Sequence, residues 1–197
     1  MLLPLLMLAA AAPSQPVQTP MAATAPVEEL VKVAIETSAG KIVIALDRGR
    51  APVTTANFLK YVESGKLNGE RIYRAMPYGE GGLIQGGVIS DTRKLLPPIA
   101  HEPTSKTGLR HVAGTVSMAN AGEGTARSDF FILTTDIPAF DSGPTGSGFA
   151  AFGRVVEGME VVNAILASPV SPTKGEGPMK GQMLEPAVKI VKATRLK

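Results

Sequence analysis

Cysteine and tryptophan are both missing from the 197 residues of this chain, and aromatic residues make up only 5% of it. Without cysteine there can be no disulfide framework, no thiolate metal site and no thiol nucleophile, although either redox compartment remains open. Scarce aromatics, set against 21 glycines and 16 prolines, point to short strands, turns and loops rather than a helical bundle. No charge of one sign dominates: 20 Lys and Arg face 17 Asp and Glu, and the net charge of +3 is scattered rather than blocked. A nucleic-acid partner is therefore not expected. Only two histidines are present, and no serine sits in a G-x-S-x-G elbow, which disfavours a hydrolytic triad.

Long apolar runs are also lacking. Leu2 to Ala12 is uncharged, but it is too short to span the ~30 Å of a bilayer core. It has the length of a signal-peptide core, with small residues at Ala9 and Ala11 and no basic residue ahead of it. Residues 1–12 are thus expected to direct export, and residues 13–29, rich in Pro, Ala, Thr, Ser and Gln, to form a disordered or extended linker. With no lipobox cysteine, the mature chain is expected to be soluble and periplasmic, without stable membrane insertion. Residues 30–197 then form one folding unit, since this length supports a single full core.

Within that unit Val31, Val33 and Ile35 alternate with polar residues, Ser38-Ala39-Gly40 supplies a turn, and Ile42, Ile44 and Leu46 alternate again, predicting a β-hairpin. Pro52 opens a segment with Thr55, Phe58, Leu59 and Val62 at helical spacing, and Gly65 is placed to end it. Short apolar runs follow at Leu83–Ile84, Thr115–Met118, Phe130–Thr134 and Ala150–Val156. A second short helix is suggested by Gly158, Val161, Val162 and Ile165, and a last strand by Val188–Leu196. Many short strands with two helices suggest a mainly β fold, a closed antiparallel barrel filled by side chains and capped by the helices.

Two features imitate other chemistries. His101-Glu102 with His111 matches no common metal-ligand spacing, so no metal is expected. Gly143-Pro-Thr-Gly-Ser-Gly148 begins like a phosphate-binding loop, but Phe149 and Ala150 stand where Lys and Ser or Thr are required, and a hairpin loop is the better reading.

A different set of motifs is informative in order and spacing. The T-x-x-G-x-I-x-I-x-L hairpin at Thr37 to Leu46 is followed by Ala51-Pro52-Val-Thr-Thr-Ala-Asn-Phe58, then Tyr73-Arg74, then Gln85-Gly86-Gly87. Ser117-Met-Ala-Asn-Ala-Gly122, Ser128-Asp-Phe-Phe-Ile132 and Phe152-Gly-Arg-Val-Val-Glu-Gly-Met159 complete the series. From about Val31 to the C-terminus the chain resembles the cyclophilin family. That resemblance implies an eight-stranded antiparallel barrel capped by two helices, and peptidyl-prolyl cis/trans isomerase activity on proline-containing polypeptides. It implies no cofactor, and a monomer is expected.

The resemblance also assigns roles. Arg74 would donate to the prolyl nitrogen as the amide twists, and Gln85 would position Arg74 or the moving carbonyl. Leu83, Phe131 and Phe140 would line the proline pocket, the backbone around Met118, Ala119, Asn120 and Ala121 would hold the substrate chain, and Asp129 and Phe149 would complete the binding surface. Departures concern the walls. Gly82 aligns with a pocket phenylalanine common in the family, with Tyr78 the candidate to replace it; Asp129 stands for a glutamine, Ala139 for a large rim residue and Phe149 for a histidine. With such walls, a cyclophilin-fold binding module or chaperone with little catalysis is the alternative.

Overall fold

The structure is a computed structural model that describes residues 29–144 and 146–197. The signal-like segment and, Glu29 excepted, the expected linker lie outside the described residues.

Alternation builds the first hairpin as expected. β1 (Leu30–Thr37) and β2 (Gly40–Asp47) pair antiparallel with Val33 opposite Ile44 and Ile35 opposite Ile42, and these apolar side chains all enter the main core. Seven further strands follow: β3 (Arg71–Tyr78), β4 (Gly81–Gly87), β5 (Thr115–Met118), β6 (Phe130–Leu133), β7 (Ala150–Glu157), β8 (Val170–Ser171) and β9 (Met183–Arg195). The sheet runs β1-β2-β7-β5-β6-β4-β3-β9, and β9 returns to pair with β1, placing Ile35 opposite Ala193. Eight strands therefore close into an antiparallel barrel, which leaves no free edge. The two-residue β8 hangs on β9 outside this ring.

The helix α1 (Pro52–Glu63) starts with Pro52, where a missing N–H is harmless. It buries Thr55, Phe58, Leu59 and Val62 as the spacing predicts, and Tyr61 as well. Phe58 meets Phe130 edge-on at 5.3 Å between ring centroids and lies 5.3 Å from Phe152, so the helix is fixed into the barrel core. Ala51 offers no side-chain cap. Instead the buried Glu102 accepts hydrogen bonds from the N–H groups of Val53 and Thr54 and from the Thr54 hydroxyl, at 3.1, 2.7 and 2.6 Å. A remote loop thus satisfies donors that a helix leaves unpaired at its N-terminus.

Between β4 and β5 lies a helix not expected from the sequence, the four-residue α2 (Thr104–Thr107). The second expected helix is α3 (Met159–Leu166), which buries Val162 and Ile165 and contacts β2, β3 and β4. Among the described residues no helix is long and apolar enough to cross a membrane.

Candidate active site

The site begins with a fault in a strand. Across the β3–β4 ladder Ile72 pairs with Gly86 and Arg74 with Gln85, so Tyr73 is an extra residue, a β-bulge. Ile72 and Ala75 belong to the main core. Strict alternation would send Arg74 inward beside Ile72; the bulge puts Tyr73 and Arg74 on the outer face together. There the register forms one row across four strands: Arg74 opposite Gln85, Gln85 opposite Phe131, Phe131 opposite Ser117. Neighbouring strands stand about 4.8 Å apart, close enough for each member of the row to touch the next.

Three acceptors hold the half-buried guanidinium of Arg74. Its Nε donates to Oε1 of Gln182 at 2.8 Å, Nη1 to Oε1 of Gln85 at 2.8 Å, and Nη2 to the sulfur of Met76 at 3.2 Å. Of its five N–H bonds, one on each terminal nitrogen remains for a ligand. Burial pulls its pKa below the ordinary arginine value, with the neighbouring Tyr73 pushing the other way; an arginine nonetheless remains charged at neutral pH.

Beside Arg74 opens a cavity of about 550 Å³. Its floor is a second apolar cluster outside the barrel core, built on Leu83 and Phe131, with Met76, Ala119, Phe140 and Phe149 packed against it. The three phenylalanine rings pack edge to face, with centroids 5.0 to 5.6 Å apart. Phe149 is delivered by the glycine loop: Gly143 and Gly146 exchange backbone hydrogen bonds at 2.9 and 3.2 Å, and the Phe149 N–H donates to the Phe140 carbonyl at 2.9 Å. The loop is therefore a tight turn that brings an aromatic wall to the cavity.

Underneath lies His111, which donates from Nδ1 to Asp141 at 2.8 Å, accepts from the Ser117 hydroxyl at 2.9 Å and stacks on Phe131. This order of groups is that of a hydrolytic triad. Ser117 and His111 are 0% and 1% exposed, however, so no substrate reaches them. Burial holds the imidazole pKa below its usual value against the opposing pull of Asp141, and the pair supports the aromatic floor. His101 is elsewhere, bonded to the Ser147 carbonyl at 2.9 Å.

Of the residues singled out in the sequence, Arg74, Gln85, Leu83, Ala119, Asn120, Ala121, Asp129, Phe131, Phe140 and Phe149 all line this one cavity. Met118 does not: it alternates inward from Ser117 and is fully buried in the barrel core. The N–H groups of Ala119 and Ala121 are already engaged, by the Asp129 carbonyl and the Thr125 hydroxyl, so they do not serve an incoming chain. Tyr78 does not replace the missing wall; it is 49% exposed near the tip of the β3–β4 hairpin. Met76 and Met179 line the cavity instead. Sequence reading missed both, together with Gln182, whose bond to Arg74 joins residues 108 positions apart.

Comparison with known proteins identifies the family and the fold. The family model described as cyclophilin type peptidyl-prolyl cis-trans isomerase/CLD matches residues 32–195. Peptidyl-prolyl cis-trans isomerase A of Dickeya dadantii is 41% identical over 160 residues, covering 79% of this chain and 80% of that protein. The isomerase cyp18 of Streptomyces antibioticus is 37% identical over 150 residues, covering 73% and 87%. In fold, the chain is similar to the crystal structure of a cyclophilin type peptidyl-prolyl cis-trans isomerase of Cryptosporidium parvum, with a TM-score of 0.69 at 21% identity, covering 86% of this chain and 99% of that one. A second structure of that protein, in the presence of the dipeptide Ala-Pro, gives a TM-score of 0.68 at 22% identity, covering 84% and 99%. The match runs through β1 to β9 and takes in every strand that carries the site: this chain belongs to the cyclophilin type peptidyl-prolyl cis-trans isomerase family.

Proposed function

We propose that this chain accelerates cis/trans rotation of X-Pro peptide bonds through non-covalent stabilisation of the twisted amide by Arg74. Amide resonance opposes that rotation with a barrier of ~18–20 kcal/mol. As the bond twists, the prolyl nitrogen regains its lone pair and becomes a hydrogen-bond acceptor. The observation that carries the proposal is a guanidinium anchored at all three nitrogens, with two N–H bonds left over, at the edge of an apolar notch.

The notch of Phe131, Phe140, Phe149, Leu83 and Met76 grips the pyrrolidine ring, and the carbonyl before it swings in the open part of the cavity. Arg74 binds the twisted state better than either planar isomer, and that difference lowers the barrier. Gln85 serves by holding Arg74. The ligands are proline-containing stretches of polypeptide, and no cofactor takes part. Export through Leu2 to Ala12, which would place the activity on periplasmic clients, and a monomeric state belong to the same proposal; they rest on the sequence of the leader and on the closed barrel.

Arg74→Ala removes the donor and leaves the notch. Cis-to-trans conversion of an Ala-Pro peptide is expected to slow by about 10² to 10³ in kcat/KM, the loss typical of one transition-state donor, with an unchanged circular dichroism spectrum. Rotation no faster than the uncatalysed reaction in both proteins, with peptide binding retained, would instead make the barrel a binding module, and equal acceleration by both would remove Arg74 from the mechanism.

A further inference from the structure

The reading of Arg74 leaves open what fixes the direction of Gln85. Its side-chain amide has an acceptor end and a donor end, and only the acceptor end can face a guanidinium. The answer lies in two polar side chains on the opposite side of Gln85 from Arg74. Tyr73 donates from its hydroxyl to Oδ1 of Asp129 at 2.6 Å, and Gln85 donates from Nε2 to the Tyr73 oxygen at 2.7 Å.

This chain of bonds has one consistent direction. An ionised carboxylate only accepts, so the Tyr73 proton points to Asp129. The Tyr73 oxygen, its proton spent, can only accept, and takes an N–H of Gln85. Oε1 of Gln85 is then turned to Arg74, where it accepts from Nη1. Reversing the amide would set N–H against N–H at Arg74 and leave Tyr73 facing an oxygen with no proton to offer it.

Two backbone features serve this arrangement. The bulge at Tyr73 brings its ring to the same face as Arg74. Gly87 lies so close to Asp129 that a Cβ there would come within 2.8 Å of Oδ1, so the Gln85-Gly86-Gly87 run leaves room for the carboxylate. The Ser128 hydroxyl donates to the second oxygen, Oδ2, at 3.2 Å.

We propose that Asp129 and Tyr73 are positioning residues that orient the Gln85 amide and thereby lock the guanidinium of Arg74 for catalysis. The proposal rests on the reading of Arg74 given above. It also changes the role of Asp129, expected from the sequence to bind substrate.

The test combines turnover with a direct measure of the guanidinium. In Tyr73→Phe, kcat on an Ala-Pro peptide is expected to fall about tenfold or more, with KM within about twofold, because the notch is untouched. Asp129→Leu should lower kcat by a similar factor, and the kcat of the double variant should be no worse than that of either single one, since both break one chain. Rotation of the Arg74 guanidinium about Nε–Cζ, followed by NMR of its Nη signals, should accelerate in each variant while the backbone spectrum elsewhere stays native. Native rotation rates in Tyr73→Phe, or losses that simply multiply in the double variant, would overturn the proposal. Failure of the Arg74 reading is a separate result: Arg74→Ala would then turn over like the wild type, while the rotation rates would still decide whether Asp129 and Tyr73 position that side chain.

Discussion

An arginine on a barrel surface is ordinarily solvated and mobile, and the chemistry proposed for Arg74 depends on its being half-buried and held. Its guanidinium gains order from Gln182, Gln85 and Met76, while burial beside Tyr73 strengthens whatever hydrogen bond it offers a ligand. Asp129 shows the stability side of that arrangement. Burial raises its pKa above the ordinary aspartate value, against the bonds from Tyr73 and Ser128. A carboxyl whose folded-state pKa is raised favours the fold below its unfolded value, and that contribution is lost as pH rises through the folded one. Ionised Asp129 therefore costs stability at neutral pH. Asp129→Asn is expected to melt at a higher temperature than the wild type at pH 7, with the gain disappearing in acid; thermal denaturation at pH 7 and pH 3 measures both. Arg74 and Gln85 were legible in the sequence because their motif spacing is distinctive. The parts played by Tyr73 and Met76 were not, because a bulge alters which way side chains point without altering composition.

At the scale of elements, the hairpin β1–β2 and the helices α1 and α3 could be read from periodicity, because each sets one regular apolar stripe into the main core. β3 could not: its alternation breaks at Tyr73, and Pro77 interrupts the run. β9 was read only from Val188, since Pro186, which has no N–H for a ladder, makes the preceding residues look like a loop. Nor does any local pattern announce that Glu102 caps α1 from 48 residues away. The Gly143–Gly148 loop was read as a hairpin, yet its function of presenting Phe149 was not. Gly148 sits at φ 62°, and a Cβ there would lie 2.5 Å from the Phe140 carbonyl oxygen and 2.6 Å from the Ser142 nitrogen. Gly148→Ala should therefore push Phe149 off Phe140, destabilise the protein by about 1–3 kcal/mol and raise KM for proline peptides. Gly146→Ala, where a Cβ meets nothing within 4 Å, should change neither. Equal effects at the two glycines in urea titration and peptide kinetics would contradict this account of the loop.

For the whole molecule, barrel closure links function to fold. Packing of the interior by β-strand side chains and α1 is insulated from the outer face, where a row of four residues on β3, β4, β6 and β5 carries the site. The mainly β, helix-capped barrel was legible because family motifs recur along its length, whereas contacts such as Arg74 to Gln182 and His111 to Asp141 depend on the pairing of β3 with β9 and of β5 with β6 and have no local signature. All of this serves one geometric claim, that a proline ring seated on Phe131 presents its nitrogen to Arg74. A crystal structure with a bound Ala-Pro peptide measures it directly. The ring should lie among Phe131, Phe140 and Phe149, with an Nη atom of Arg74 within about 3.5 Å of the prolyl nitrogen or poised to reach it as the bond twists. A ring bound elsewhere, or a guanidinium turned away from an occupied notch, would contradict the account.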